Sequence, residues 1–103
     1  MQFLITGHDG TDPEALSRRL AVRDAHIAMS DELRNRGKLL YAVAMLNDEG
    51  QMCGSVMIGE FDSREELDQW LAEEPYVTGK VWQNVEVIPC KVGPSFANLQ
   101  ARG

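Results

Sequence analysis

Two apolar runs joined by a short polar turn constrain this chain most. The first, Leu39-Leu40-Tyr41-Ala42-Val43-Ala44-Met45-Leu46, carries no charge, and a strand over 38–46 follows from it. Asn47-Asp48-Glu49-Gly50 has the composition of a turn. A second strand resumes over 54–61 through Val56, Met57 and Ile58. Two strands joined this way make a β-hairpin.

Helical patterns flank the hairpin. Upstream, Gln2 to Thr6 reads as an interior strand ended by Gly7, and 7–11 as a loop. Asp12 then reads as a helix cap with Pro13 in the first turn, and Leu16 and Leu20 share a face. The β-branched Val22 and a shift in pattern predict a break, with a longer helix over 23–36 closed by Gly37 as C-cap. Arg34 and Arg36 suit the negative end of that helix. Downstream, Ser63-Arg64-Glu65-Glu66 is a capping box, and Leu67, Trp70 and Leu71 form the buried stripe of a helix stopped by Pro75. A last strand spans 85–92, where Pro89 points to an edge or a bulge. The tail from Gly93 lacks pattern and reads as mobile or as a clasp on a partner chain.

The resulting order, β-α-β-β-α-β, is the α+β, ferredoxin-like split βαβ arrangement: an antiparallel sheet with both helices on one face. Its strands are apolar on both sides, so the second face needs cover. A second copy of the chain is the simplest cover, and two such sheets close into a barrel-like dimer. At 103 residues the chain is expected to be one domain, 1–103, small enough to gain from association.

Charge and composition narrow the function. The net charge of −6 argues against nucleic acid, which needs a cationic face. The densest basic group, Arg18, Arg19 and Arg23, is flanked by Glu14 and Asp24. No stretch approaches the roughly 20 apolar residues of a membrane span. Met1-Gln2-Phe3-Leu4 lacks the basic start of a secretion signal. Cys53 and Cys90 are too few and too far apart for a zinc knuckle, and read as free thiols in a reducing cytoplasm.

The residues with chemistry are few. His26 lies in a helix, and Glu74 follows the second helix. An imidazole trades protons near neutral pH and a carboxylate can orient it, so the two form an acid–base site if the fold brings them together. Glu73 is an alternative carboxylate. Arg23, three residues before His26, either anchors an anionic substrate or pairs with Glu14 or Asp24. Tyr76 either offers its phenol to the site or packs under the loop. Trp82 is open to a pocket role, whereas Trp70 belongs to the helix stripe. His8, Asp9 and Asp12 are of metal-ligand type but lack the number a dedicated site needs, so loop solvation and capping explain them better. No dinucleotide fingerprint and no Ser-His-Asp or Cys-His signature is present. No cofactor and no metal are expected.

Arg23-Asp24-Ala25-His26-Ile27, Arg36-Gly37-Lys38-Leu39-Leu40, Phe61-Asp62-Ser63-Arg64-Glu65-Glu66, Trp70 and Pro75-Tyr76-Val77 occur in an order that resembles the YCII-like family of small bacterial proteins. The resemblance covers the chain up to Phe96. It implies a dimeric α+β barrel and an active site made by His26 and the acid at Glu74, where the family usually has Asp. Some members resemble enzymes that remove chloride from chlorinated aromatic hydroxy compounds.

Two functions fit these readings. One is a cofactor-free lyase or isomerase in which His26 moves a proton on a small aromatic or keto compound, with Glu74 holding its tautomer. The other is a non-catalytic dimeric module that holds a small ligand or serves a protein partner.

Overall fold

The computed structural model describes residues 1–96. The elements are β1 (Gln2–Asp9), α1 (Ala15–Asn35), β2 (Leu39–Leu46), β3 (Met52–Glu60), α2 (Arg64–Glu73), the short α3 (Pro75–Thr78) and β4 (Trp82–Cys90). The four strands form one sheet in the order β2-β3-β1-β4, and every neighbouring pair is antiparallel. This is the ferredoxin-like α+β arrangement expected from the element order, with α3 added between α2 and β4. No described helix is long and apolar enough to cross a membrane. Residues 97–103, most of the tail read above as mobile or clasping, lie outside the described residues.

Alternation along β1 separates the two faces of the sheet. Phe3, Ile5, Gly7 and Asp9 are buried, while Gln2, Leu4, Thr6 and His8 are half-buried on the other side. Phe3 and Ile5 join Leu33, Met57, Phe61, Leu67 and Trp70 in the core beneath the helices. On the opposite face, Tyr41, Ile58, Leu4 and Ile88 stand in register across all four strands. Tyr41 is 57% exposed, Val43 47% and Ile88 52%, so this apolar face lacks cover among the described residues.

The helix over 23–36 and the break at Val22 are corrected by the structure: α1 is one helix of 21 residues. Ala15, Arg19, Val22, His26, Met29 and Leu33 face the sheet at alternating spacings of four and three, a continuous stripe. Arg and His occupy two of its six positions, which interrupts the pattern when only apolar residues are counted. One β-branched residue costs a helix a few tenths of a kcal/mol, about 0.5, and packing against the core recovers it. The helix starts at Ala15, with Glu14 as a cap that has no side-chain bond. Asp12 sits in the preceding turn, where its carbonyl accepts from Ala15 N–H at 3.1 Å.

At the far end, Gly37 at φ 75° closes α1. Lys38 N–H donates to Leu33 and Gly37 N–H to Arg34, the paired bonds of a Schellman motif. Ser63 caps α2 by accepting from Glu66 N–H at 3.1 Å, and Glu66 Oε1 accepts from Asp62 N–H at 3.0 Å.

Strand boundaries also shift. β1 continues past Thr6 to Asp9, because Gly7 pairs with Ser55 and Val85 and lets the Trp82 indole lie flat over the strand. β4 starts three residues earlier than expected, at Trp82, and ends at Cys90. Pro89 lies on this edge strand, where a missing N–H is tolerated.

Candidate functional site

Glu74 ends one helix and starts the next. A residue before proline is driven toward extended backbone, and Glu74 adopts φ −67° and ψ 126° between α2 and α3. Its side chain turns inward and is 0% exposed. Oε2 accepts from Tyr76 N–H at 2.9 Å, which caps α3. Oε1 contacts His26 Nδ1. A carboxylate accepts hydrogen bonds and donates none, so this contact favours the tautomer of His26 that carries its proton on Nδ1. The structure thus brings together the two residues expected to form the acid–base pair. Glu73, the alternative acid, is solvent-exposed at the end of α2.

A stack of rings and charges stands behind this pair. Tyr76 lies parallel to His26, with ring centroids 3.8 Å apart and planes 12° from parallel. The Arg19 guanidinium lies 4.5 Å from the centroid of the Tyr76 ring. Arg19 Nη1 donates to both Asp9 oxygens, at 2.9 and 3.0 Å, and Nη2 donates to Ser55 Oγ at 2.8 Å. The Arg19 and Asp9 side chains are 3% and 2% exposed. Burial pushes the Asp9 carboxyl above the ordinary aspartate range, against the opposing pull of the Arg19 hydrogen bonds and charge. Burial likewise raises the Tyr76 phenol above 10, with Arg19 and Arg23 pulling the other way, so the phenol stays protonated at neutral pH.

The reading of Asp9 as a solvated loop residue is therefore corrected. Asp9 ends β1 on its inward face and anchors a buried cation. Arg19, Asp9 and Ser55 are the polar residues that sequence reasoning missed. Their only signal was positional: Arg19 falls in the 4-3-4 stripe of α1, and Asp9 in the 3-5-7-9 alternation of β1. His8 faces the other side and meets Glu86 at 3.1 Å, and Asp12 pairs with Arg18 at 2.6 Å. No cluster able to hold a metal occurs among the described residues. Cys53 and Cys90 are free thiols.

A cleft of about 470 Å³ opens between α1 and the β2–β3 side of the sheet. Arg19, Arg23, His26, Ser55 and Tyr76 line it, and Ala42 and Ala44 keep the opposite wall low. The volume suits a small organic ligand, for which pockets of about 300–1,000 Å³ are usual. Arg23 is exposed at the rim and makes no ion pair among the described residues. Trp82 does not line the cleft: it sits edge-on to His26 at 6.1 Å and to Tyr76 at 5.5 Å, and backs the site from the core.

The model of the YCII-related domain matches residues 1–91. The chain belongs to the YCII-related family. Among YCII-related relatives, the protein YciI of Escherichia coli O6:H1 is 38% identical over 97 residues, covering 88% of this chain and 97% of that protein. A Haemophilus influenzae protein is 34% identical over the same shares. Among solved structures, the 5-chloro-2-hydroxyhydroquinone dehydrochlorinase TftG of Burkholderia phenoliruptrix AC1100, in complex with 2,5-dihydroxybenzoquinone, superposes with a TM-score of 0.79 and 26% identity, covering 92% of this chain and 98% of that one. An antibiotic biosynthesis monooxygenase, at TM-score 0.51 and 20% identity, shares the fold alone.

Proposed function

We propose that this chain is an acid–base enzyme that moves protons on a small phenolic or enolic compound and releases an anionic leaving group from it. His26 Nε2 is the base and acid, and Glu74 is its orienting partner. The observation that carries this reading is the fully buried Glu74 carboxylate against Nδ1 of an imidazole that itself lines the cleft. A carboxylate is costly to bury, and here the imidazole and one backbone N–H are its hydrogen-bond partners. The likeness to TftG supports a polyhydroxylated ring as the substrate class. Arg23 at the rim and Tyr76 beside His26 supply substrate contacts, while Trp82 supports both aromatic rings from behind.

The chemistry balances with these groups. His26 takes a hydroxyl proton, the O–H pair becomes a C=O bond, and the conjugated ring carbon bearing the leaving group receives the proton. Loss of a second hydroxyl proton then drives the leaving group out with its bonding pair. The net change is loss of HX, with no oxidant or reductant consumed.

Chloride release from 5-chloro-2-hydroxyhydroquinone, followed without oxygen, tests this reading. Wild-type protein should accelerate release, and His26→Asn should lower the rate by about 10²–10⁴, the usual worth of general acid–base help. Equal rates in the two proteins would refute the role of His26. Quinone binding with no chloride release would make the cleft a receptor site instead, the binding-module reading.

We also read the apolar outer face of the sheet as the seat of a second copy. The apolar strip over Tyr41, Ile58, Leu4 and Ile88, exposed at its two ends, would meet its own copy across a two-fold axis. Sedimentation should show a dimer for wild-type protein and a monomer for Val43→Glu/Ile88→Lys.

A further inference from the structure

The polar pole at the other end of the cleft has an unspent donor. Ser55 lies on the inward face of β3 and is 4% exposed, yet it lines the cleft. Its neighbours in the adjoining strands are Gly7, over which the Trp82 indole lies, and Ala44, whose small side chain leaves the β2 side of the hydroxyl low. Ser55 Oγ accepts from Arg19 Nη2 at 2.8 Å, and that is its one partner among the described residues. A hydroxyl carries one donor proton in addition to its acceptor lone pairs. The accepted bond uses a lone pair and leaves the proton free.

The neighbour that fills the lone pair is a full cation. Arg19 cannot shed its proton, and Asp9 pins Nη1 through both carboxylate oxygens. A cation donating to Oγ draws electron density from the O–H bond and strengthens it as a donor, as in any hydrogen-bonded chain. Ser55 and Arg19 are both almost fully buried, which limits the dilution of that effect by bulk water. Arg19 and His26 are seven residues apart on one face of α1, and their side chains both meet the Tyr76 ring, the guanidinium at 4.5 Å and the imidazole at 3.8 Å. The cleft therefore has a proton-accepting pole at His26 and a proton-donating pole at Ser55, with Tyr76 between them.

We propose that Ser55, its hydroxyl polarised by the Arg19 guanidinium, donates its proton in a hydrogen bond to an anionic oxygen of the ligand, apart from the oxygen served by His26. The ligand class is thus a ring compound carrying oxygens at two separated positions, bound with one of them as the oxyanion. This inference rests on the acid–base reading of the cleft and specifies its ligand.

Binding of 2,5-dihydroxybenzoquinone, followed by its visible absorption and by quenching of tryptophan fluorescence, tests it. Ser55→Ala should weaken binding of the anionic probe by about ten- to a hundredfold, the worth of one hydrogen bond to a charged acceptor. It should also raise the pH at which the bound probe ionises, a spectral shift that a purely structural role of Ser55 would leave in place. Ser55→Thr, which keeps the hydroxyl, should restore both. Equal affinity and an unmoved spectrum in Ser55→Ala would overturn the donor assignment while leaving the acid–base reading intact. Failure of wild-type protein both to bind the probe and to release chloride would overturn both.

Discussion

Removing either member of the Arg19–Asp9 pair should damage the protein, and the two removals should differ in a defined way. The pair is buried on both sides, and Arg19 also holds Ser55 and covers the Tyr76 ring. Breaking such a pair costs about 3–5 kcal/mol, because the survivor is left charged and desolvated. Against a total of about 5–15 kcal/mol for a natural domain, that is a large share. Arg19 cannot neutralise itself, so Asp9→Leu should cost the full amount at any pH near neutrality. Asp9 can take up a proton, so Arg19→Met should cost less and recover as the solution is acidified.

The sign follows from the direction of the Asp9 shift. Its folded pKa already lies above 3.8, and loss of Arg19 raises it further. Proton uptake then favours the folded state. That stabilisation is complete below about pH 3.8, the unfolded value, and is lost as pH rises through the raised folded value. The slope is at most about 1.4 kcal/mol per pH unit. Urea titrations of wild-type, Asp9→Leu, Arg19→Met and the double variant at pH 5 and pH 7, read by tryptophan fluorescence, measure all of this. The double variant should recover most of the loss, since for Asp9 desolvation outweighs pairing and a packed apolar pair avoids it. An Asp9→Leu cost below about 1 kcal/mol, or a double variant no more stable than Asp9→Leu, would refute the reasoning.

Three further outcomes follow. Glu74→Asp retains a carboxylate to cap α3 but draws it back from His26, so chloride release should fall about a hundredfold; an unchanged rate would count against the pair. Gly7→Ala places a methyl group in the Trp82 indole, and thermal unfolding should show a loss of about 1–3 kcal/mol with an altered Trp82 emission. The Asp12 carboxyl, held by Arg18 at about 2, should titrate near that value by carbon-detected NMR and move up in Arg18→Gln; because the folded value is the lower one, any stabilisation is present above 3.8 and fades as pH falls toward 2.

The chain order announces much of this architecture. The hairpin between two helical segments, Gly37 as a left-handed stop, the Ser63 cap and the stop before Pro75 are all local signals. Each depends on backbone preferences within a few residues, and each is realised in the fold. His26 and Glu74 show their acid–base chemistry in the sequence, but they lie 48 residues apart and only the fold brings them together. Other features escape local reading. Arg19 and Asp9 look like surface residues until α1 and β1 turn them inward, and Ser55 is an ordinary strand serine until a cation fills its lone pair. Val22 looks like a break because the helix stripe passes through Arg19 and His26. Burial and desolvation depend on neighbours from four separate elements, and those neighbours meet only when sheet register and helix packing are complete. Local chemistry therefore reveals the order of the elements, whereas the buried charges of the cleft arise from the way the elements pack.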